Sequence, residues 1–238
     1  MGVLNTNTLI GILVVLGFIL FFGWMIVWMA RSTKQQKKER ADMATMLGFQ
    51  PVLKPDYVKL KSRLAHINPK HGSNDNELRD IFVKHIPEGD LYLYDLWDTS
   101  GDSSNVIQSL ALALVVTDRL FPRFVISARL SMPGMLAQLA NKVLSWSVGF
   151  QMTIVDFPEE PDFNEHFVVA GNDELEVRNL LNNSILHRIK GYKGILLAGG
   201  GDTLEYCPQF EKYTGKKDIN YLSSRINSAL DVMRLFIE

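Results

Sequence analysis

The chain has 238 residues, 47% of them hydrophobic and 21% charged, with a formal net charge of −1. That balance excludes a disordered, collagenous or disulfide-stapled chain and gives no basic footprint for nucleic acid, which is not expected as a partner. The lone cysteine, Cys207, cannot form an internal disulfide and offers no thiolate zinc framework.

Residues 1–8 form a short N-terminal segment, and residues 9–30 follow as an apolar run; residues 1–30 contain no Asp, Glu, Lys or Arg. At about 1.5 Å per helical residue, 22 residues reach roughly 33 Å, enough to cross a hydrocarbon core of about 30 Å. The run is therefore read as a transmembrane helix. Trp24 and Trp28 lie one turn apart near its end, where indole rings favour the headgroup region. A cleaved signal peptide fits poorly, because the start is uncharged, the apolar core is long, and Trp28 occupies the −3 position before a cut after Ala30. Met1 to Thr6 match the loose myristoylation pattern, but a lipid on Gly2 adds little to a helix that already spans.

Residues 31–50 are read as a basic juxtamembrane stalk helix. Arg31, Lys34, Lys37, Lys38 and Arg40 stand against the single Glu39, whereas only Asn and Thr precede the span. The excess of positive charge predicts an external N-terminus and a cytoplasmic C-terminal domain. With the two tryptophans, these five residues form the expected membrane interface, and the lipid bilayer is the expected partner. Residues 1–40 hold five of the 25 basic and one of the 26 acidic residues, leaving residues 41–238 with 20 against 25, a net charge of −5.

Residues 51–238 are long enough for one ordinary core. Gly48 is placed to end the stalk helix, and Pro51 prevents its return. The polar stretch 74–80 reads as a break. Apolar runs follow at Ile81–Val83, Leu91–Tyr94, Leu110–Val116 and Phe124–Ile126, cut by Glu88–Asp90, Thr99–Asp102 and Phe121–Pro122. Such runs predict strands of an antiparallel sheet.

Residues 130–155 carry Lys142 as their only charge before Val155, with Leu136, Leu139, Val143 and Trp146 at helical spacing. Residues 134–148 are read as a core helix or covering loop in preference to a helix lying on the bilayer, which ordinarily carries more Lys and Arg. Gln151 to Phe157 alternates toward a strand. Further on, Phe163, Phe167 and Val169 are expected on one side of a strand, sharing a core with Val177, Leu180 and Leu181 after a turn at Gly171. Asp173 and Glu176 have the capping-box spacing, and Asn182–Asn183 stops that helix before Ser184 begins another turn through Ile189. Ile195–Ala198 and Thr203–Tyr206 flank Gly199–Asp202 as a hairpin. Ile219, Leu222, Ile226, Leu230 and Met233 predict a closing amphipathic helix after Asp218.

No motif announces chemistry. Gly199–Gly201 lacks the Lys-Ser or Lys-Thr of a phosphate loop, so a tight turn fits better than a nucleotide cradle. His66, His71, His85, His166 and His187 show no metal-ligand spacing and are read as surface or half-buried residues. Asp156, Glu159, Glu160 and Asp162 are interrupted by Pro158 and Pro161 and read as a solvated turn. No cofactor is expected.

One pattern carries a likeness. The basic stalk, Leu47–Gly48–Phe49, Tyr94–Asp95–Leu96–Trp97, Pro122–Arg123–Phe124, and Pro161–Asp162–Phe163–Asn164 leading to Phe167–Val168–Val169, Gly171 and Asp173 resemble a family of bacterial membrane-anchored proteins with a domain of unknown function. The resemblance is most specific between Asp156 and Leu181. It implies a bacterial inner-membrane setting and assigns no catalytic residue. The sequence thus predicts an α+β protein with one N-terminal transmembrane helix, then a cytoplasmic domain with an antiparallel sheet and a C-terminal amphipathic helix. A non-catalytic membrane-tethered binding or assembly module is the leading expectation. The alternative is a membrane-associated enzyme whose site is assembled from distant residues.

Overall fold

The computed structural model describes residues 6–72, 76–98, 107–129, 152–192, 194–208 and 218–238. The chain divides into two compact units, Met1–Met43 and Ala44–Glu238.

Helix α1, Thr6–Met46, runs without a break through both the uncharged stretch and the basic one. No proline precedes Pro51, so nothing in the sequence removes a backbone donor along these 41 residues. In the first unit Phe18, Leu20, Phe21, Phe22, Trp24, Val27 and Trp28 are exposed. Among the described residues, no helix is long and apolar enough to cross a membrane; the side chains of residues 6–17 lie outside them.

In the second unit the helix ends as its residues require. Gly48 adopts φ +85°, a conformation that a side chain disfavours, and the amides of Gly48 and Phe49 bond back to Thr45 O and Ala44 O, each at 2.9 Å. Lys84 Nζ donates to Leu47 O at 2.8 Å, placing a cation at the negative helix end.

The described residues form a nine-stranded sheet in which every neighbouring pair is antiparallel. The strands are β1 Gln50–Pro51, β2 Asn76–Ile86, β3 Gly89–Asp98, β4 Ile107–Val115, β5 Phe121–Ala128, β6 Thr153–Ile154, β7 Phe167–Gly171, β8 Ile195–Gly201 and β9 Thr203–Pro208. Their order across the sheet is β1-β2-β3-β4-β9-β8-β5-β7-β6. Hairpin turns join β2 to β3 and β8 to β9, where the sequence places Glu88–Gly89 and the glycine run.

Strand β4 explains how both faces are covered. Leu110 to Val116 are all buried, so no solvent-facing alternation appears. Within that run small and large residues alternate instead. Ala111, Ala113 and Val115 belong to the layer under helix α2, Lys54–Ile67, which contributes Leu60, Leu64 and Ile67. Leu112 and Leu114 point to the opposite face by the two-residue period of a strand. After the short α3, Pro161–His166, come α4, Glu174–Leu180, α5, Asn183–Ile189, and α6, Ile219–Arg234; α4 packs against β5, and α6 against β4 and β9. Phe236, just beyond α6, stacks on Phe124 of β5 with ring centroids 5.5 Å apart. The expected closing helix is present, capped by Asp218, whose carboxylate accepts from Tyr221 N at 2.8 Å.

Several boundaries differ from the sequence expectation. Residues 76–80 belong to β2 rather than to a break; Arg79 places its guanidinium 4.1 Å from the Trp97 ring centre and pairs with Glu77, so the charged end of the strand is covered. Pro122 lies inside β5 instead of cutting it, because the register shifts between Phe121 and Phe124, and a shifted register tolerates a missing donor. Phe163 sits on α3, not on a strand, yet its ring stacks on Phe167 at 5.0 Å and reaches the intended core. Asn182, rather than Ser184, caps α5 by accepting from Ile185 N at 3.2 Å. Asp173 caps α4 as expected, accepting from Glu176 N at 3.0 Å. Residues 99–102 and 134–148 lie outside the described residues, and the expected strand over 151–157 is reduced to β6.

Candidate functional site

Helix α2 carries Arg63 and His66 three residues apart, hence on one side of the helix. Its last turn lies over the β8–β9 hairpin, where glycine permits the approach. A Cβ added at Gly200 would stand 3.6 Å from both His66 Cδ2 and Ile67 Cγ1, and 3.2 Å from Arg123 Cγ. Gly201, at φ +60°, turns the chain into Asp202. The glycine run therefore closes a tight turn and admits a helix, as its lack of a phosphate-loop lysine suggests.

Four polar side chains meet there from three places in the sequence. Arg63 Nε donates to Asp202 Oδ2 at 3.0 Å. Arg123, projecting from the irregular register of β5, faces the imidazole of His66, with Nε 3.1 Å from Nε2 and Nη2 2.7 Å from Nδ1. Only a ring nitrogen without a proton accepts, so this contact requires neutral His66. Burial, and then the Arg123 charge, hold the His66 pKa below its usual value against the opposing pull of Asp202.

Beneath this surface group lies a sealed one. His71, on the 3-10 turn Pro69–His71 that follows α2, is fully buried, which corrects its reading as a surface or half-buried residue. The correction has a physical cause: its Nε2 lies 3.0 Å from Oε2 of buried Glu205, and a buried carboxylate needs such a partner. The other carboxylate oxygen accepts from Tyr94 Oη at 2.5 Å. Burial, the Glu205 charge and the hydrogen bond to it push the Tyr94 pKa well above its usual value. This group ties the turn after α2 to β3 and β9, and its burial keeps it from any solute. Cys207, also buried, lies 3.7 Å from Ser109 Oγ.

No family model, no curated protein and no solved structure matches this chain.

The residues singled out in the sequence fall elsewhere. Trp24, Trp28, Arg31, Lys34, Lys37 and Lys38 are exposed on α1, whereas Arg40, about 13 Å along the helix from Arg31, is buried. The acidic turn is partnered as well as solvated: Glu160 pairs with Lys190 at 2.6 Å, and Arg178 reaches Glu159 at 3.3 Å, Glu174 at 2.9 Å and the carbonyl of Asp156. Its hydrogen bond to Lys190 lowers the Glu160 pKa. His85 faces Asp90 at 2.5 Å, and His166 Nδ1 lies 2.7 Å from Asp162 O. Among the described residues no group of three or more His, Cys, Asp and Glu is placed to hold a metal ion. Sequence reasoning missed Arg63, Tyr94, Arg123, Asp202 and Glu205 as members of a cluster. The one available signal was the Leu60, Leu64, Ile67 spacing of α2, which fixes where Arg63 and His66 project.

Proposed function

We propose that the chain is a single-pass protein of a bacterial inner membrane, with its N-terminus outside and a cytoplasmic α+β domain that serves as a non-catalytic binding or assembly module. The observation that carries this reading is the charge pattern along α1: no charged residue through position 30, then four exposed cations from Arg31 to Lys38. Burying the apolar stretch in lipid is favourable, and moving a cluster of cations through the bilayer is not, so the basic side stays where the chain is made. Likeness to a bacterial membrane-anchored family supports the same setting.

The non-catalytic part rests on how the domain spends its polar groups. Glu205 is engaged by Tyr94 and His71, the acidic turn by Arg178 and Lys190, and Glu88 by Arg234 at 2.7 Å. These contacts hold elements together. A phosphatase that works only outside the cytoplasm, fused after Glu238, is expected to be inactive; strong activity places the domain on the other side and overturns the topology.

A further inference from the structure

We infer that one face of helix α1, carrying Trp24, Trp28, Arg31, Lys34 and Lys38, binds anionic phospholipid, with the two indoles beside the acyl chains and the three cations on the headgroup phosphates. The inference rests on the reading of α1 as a membrane span and adds to it the lipid class and the face that selects it.

Orientation in the membrane needs only that cations follow the span; it does not need them on one side of the helix. Successive residues of an α-helix are turned by roughly 100°. Counted from Arg31, the positions of Trp24, Trp28, Lys34 and Lys38 all fall within about 60° to either side, so the five residues share about one third of the circumference over about four turns. All five are exposed, whereas Arg40, on the far side by the same count, is buried. Nothing acidic interrupts this face. Glu39, the one acidic residue among positions 31–40, lies beyond its edge and accepts from Gln35 Nε2 at 3.0 Å. Among the described residues no ion pair engages Arg31, Lys34 or Lys38. Asp42, one turn past Lys38, ends the face.

The levels along the helix axis match a lipid as well. The headgroup layer of one leaflet is about 5–7 Å deep. With the hydrocarbon edge at Ala30, Arg31 and Lys34 stand about 1.5 and 6 Å beyond it, within that layer, and Trp28 about 3 Å inside it. Lys38 stands about 12 Å out, and a lysine stem reaches back toward the headgroups. One anionic phospholipid therefore meets the face at two levels, its acyl chain beside the indoles and its phosphate beside Arg31 and Lys34. A zwitterionic lipid brings the same phosphate with an ammonium that the cations repel, so selection falls on a net negative headgroup. One cation near such a surface contributes a preference of about fivefold.

The test uses the full chain in phosphatidylcholine vesicles that contain either phosphatidylglycerol or phosphatidylcholine brominated near the headgroup end of the acyl chains. Bromine quenches tryptophan only on close approach, and a chain with Trp24→Phe and Trp28→Phe supplies the background of the other two tryptophans. Brominated phosphatidylglycerol is expected to match the quenching by brominated phosphatidylcholine at about one-fifth of its mole fraction. A second chain moves two cations to the far side without changing their number, by Arg31→Thr with Thr33→Arg and Lys34→Gln with Gln36→Lys; its preference should fall toward equality. Equal quenching by both lipids in the natural chain, or a swapped chain that keeps the full preference, overturns the inference and leaves the span in place. Quenching by neither lipid overturns the span itself, and the inference with it.

Discussion

A Cβ placed on Gly199 would lie 2.3 Å from Cε1 of Phe124, and one on Gly171 would lie 2.4 Å from Cγ2 of Val177. Neither neighbour can retreat easily, because Phe124 and Val177 are fully buried. Gly199→Ala is therefore expected to cost about 1–3 kcal/mol, read as a lower denaturation midpoint with an unchanged slope; an unchanged midpoint shows that the layer is looser than described. Glu205 offers a second test. Replacing it with Leu removes the hydrogen bonds to both the Tyr94 hydroxyl and His71 Nε2 in the core, each worth about 1–3 kcal/mol, so Glu205→Leu should destabilise more than Tyr94→Phe, which removes one of them. His66 sets a pH dependence. Its folded pKa lies below the usual 6.5, so an unfolded chain binds that proton more readily. Its contribution to stability is complete above that value and is lost as pH falls through the lower folded one, and an NMR titration should place the His66 midpoint below 6.5.

Elements differ in how plainly their residues announce them. The central strands were legible because apolar runs such as Leu110–Val116 are buried on both faces, and the three capped helices were bounded by side chains that do accept the expected amides, apart from the shift from Ser184 to Asn182. Helix α2 was not, since Lys59, Lys61 and Arg63 interleave with Leu60 and Leu64 and blur the apolar spacing over a short window. Phe163 and Phe167 misled for another reason: a four-residue separation fits both the two-residue period of a strand and a turn of helix. The polar cluster was illegible because residues 63, 66, 123 and 202 converge only once β5 lies beside β8 and α2 covers both. If α2 is part of the core, Leu64→Ala should cost about 2–5 kcal/mol in a denaturation experiment. Asp218→Ala, by contrast, removes one cap bond from α6 and should cost about 1 kcal/mol.

The molecule as a whole separates its charge. Residues 1–30 carry none, the next ten carry five cations and one anion, and residues 41–238 carry −5. An acidic domain is weakly repelled by an anionic lipid surface, so attachment by surface charge alone does not account for a membrane location. On the proposed reading the apolar stretch of α1 supplies it, because burying that stretch in lipid takes apolar surface out of water. Extraction of membranes carrying the full chain with alkaline carbonate tests that claim most directly, because it strips proteins held by charge or by partners and leaves those inserted in lipid. The chain is predicted to remain with the membrane pellet; recovery of the intact chain in the supernatant contradicts the account.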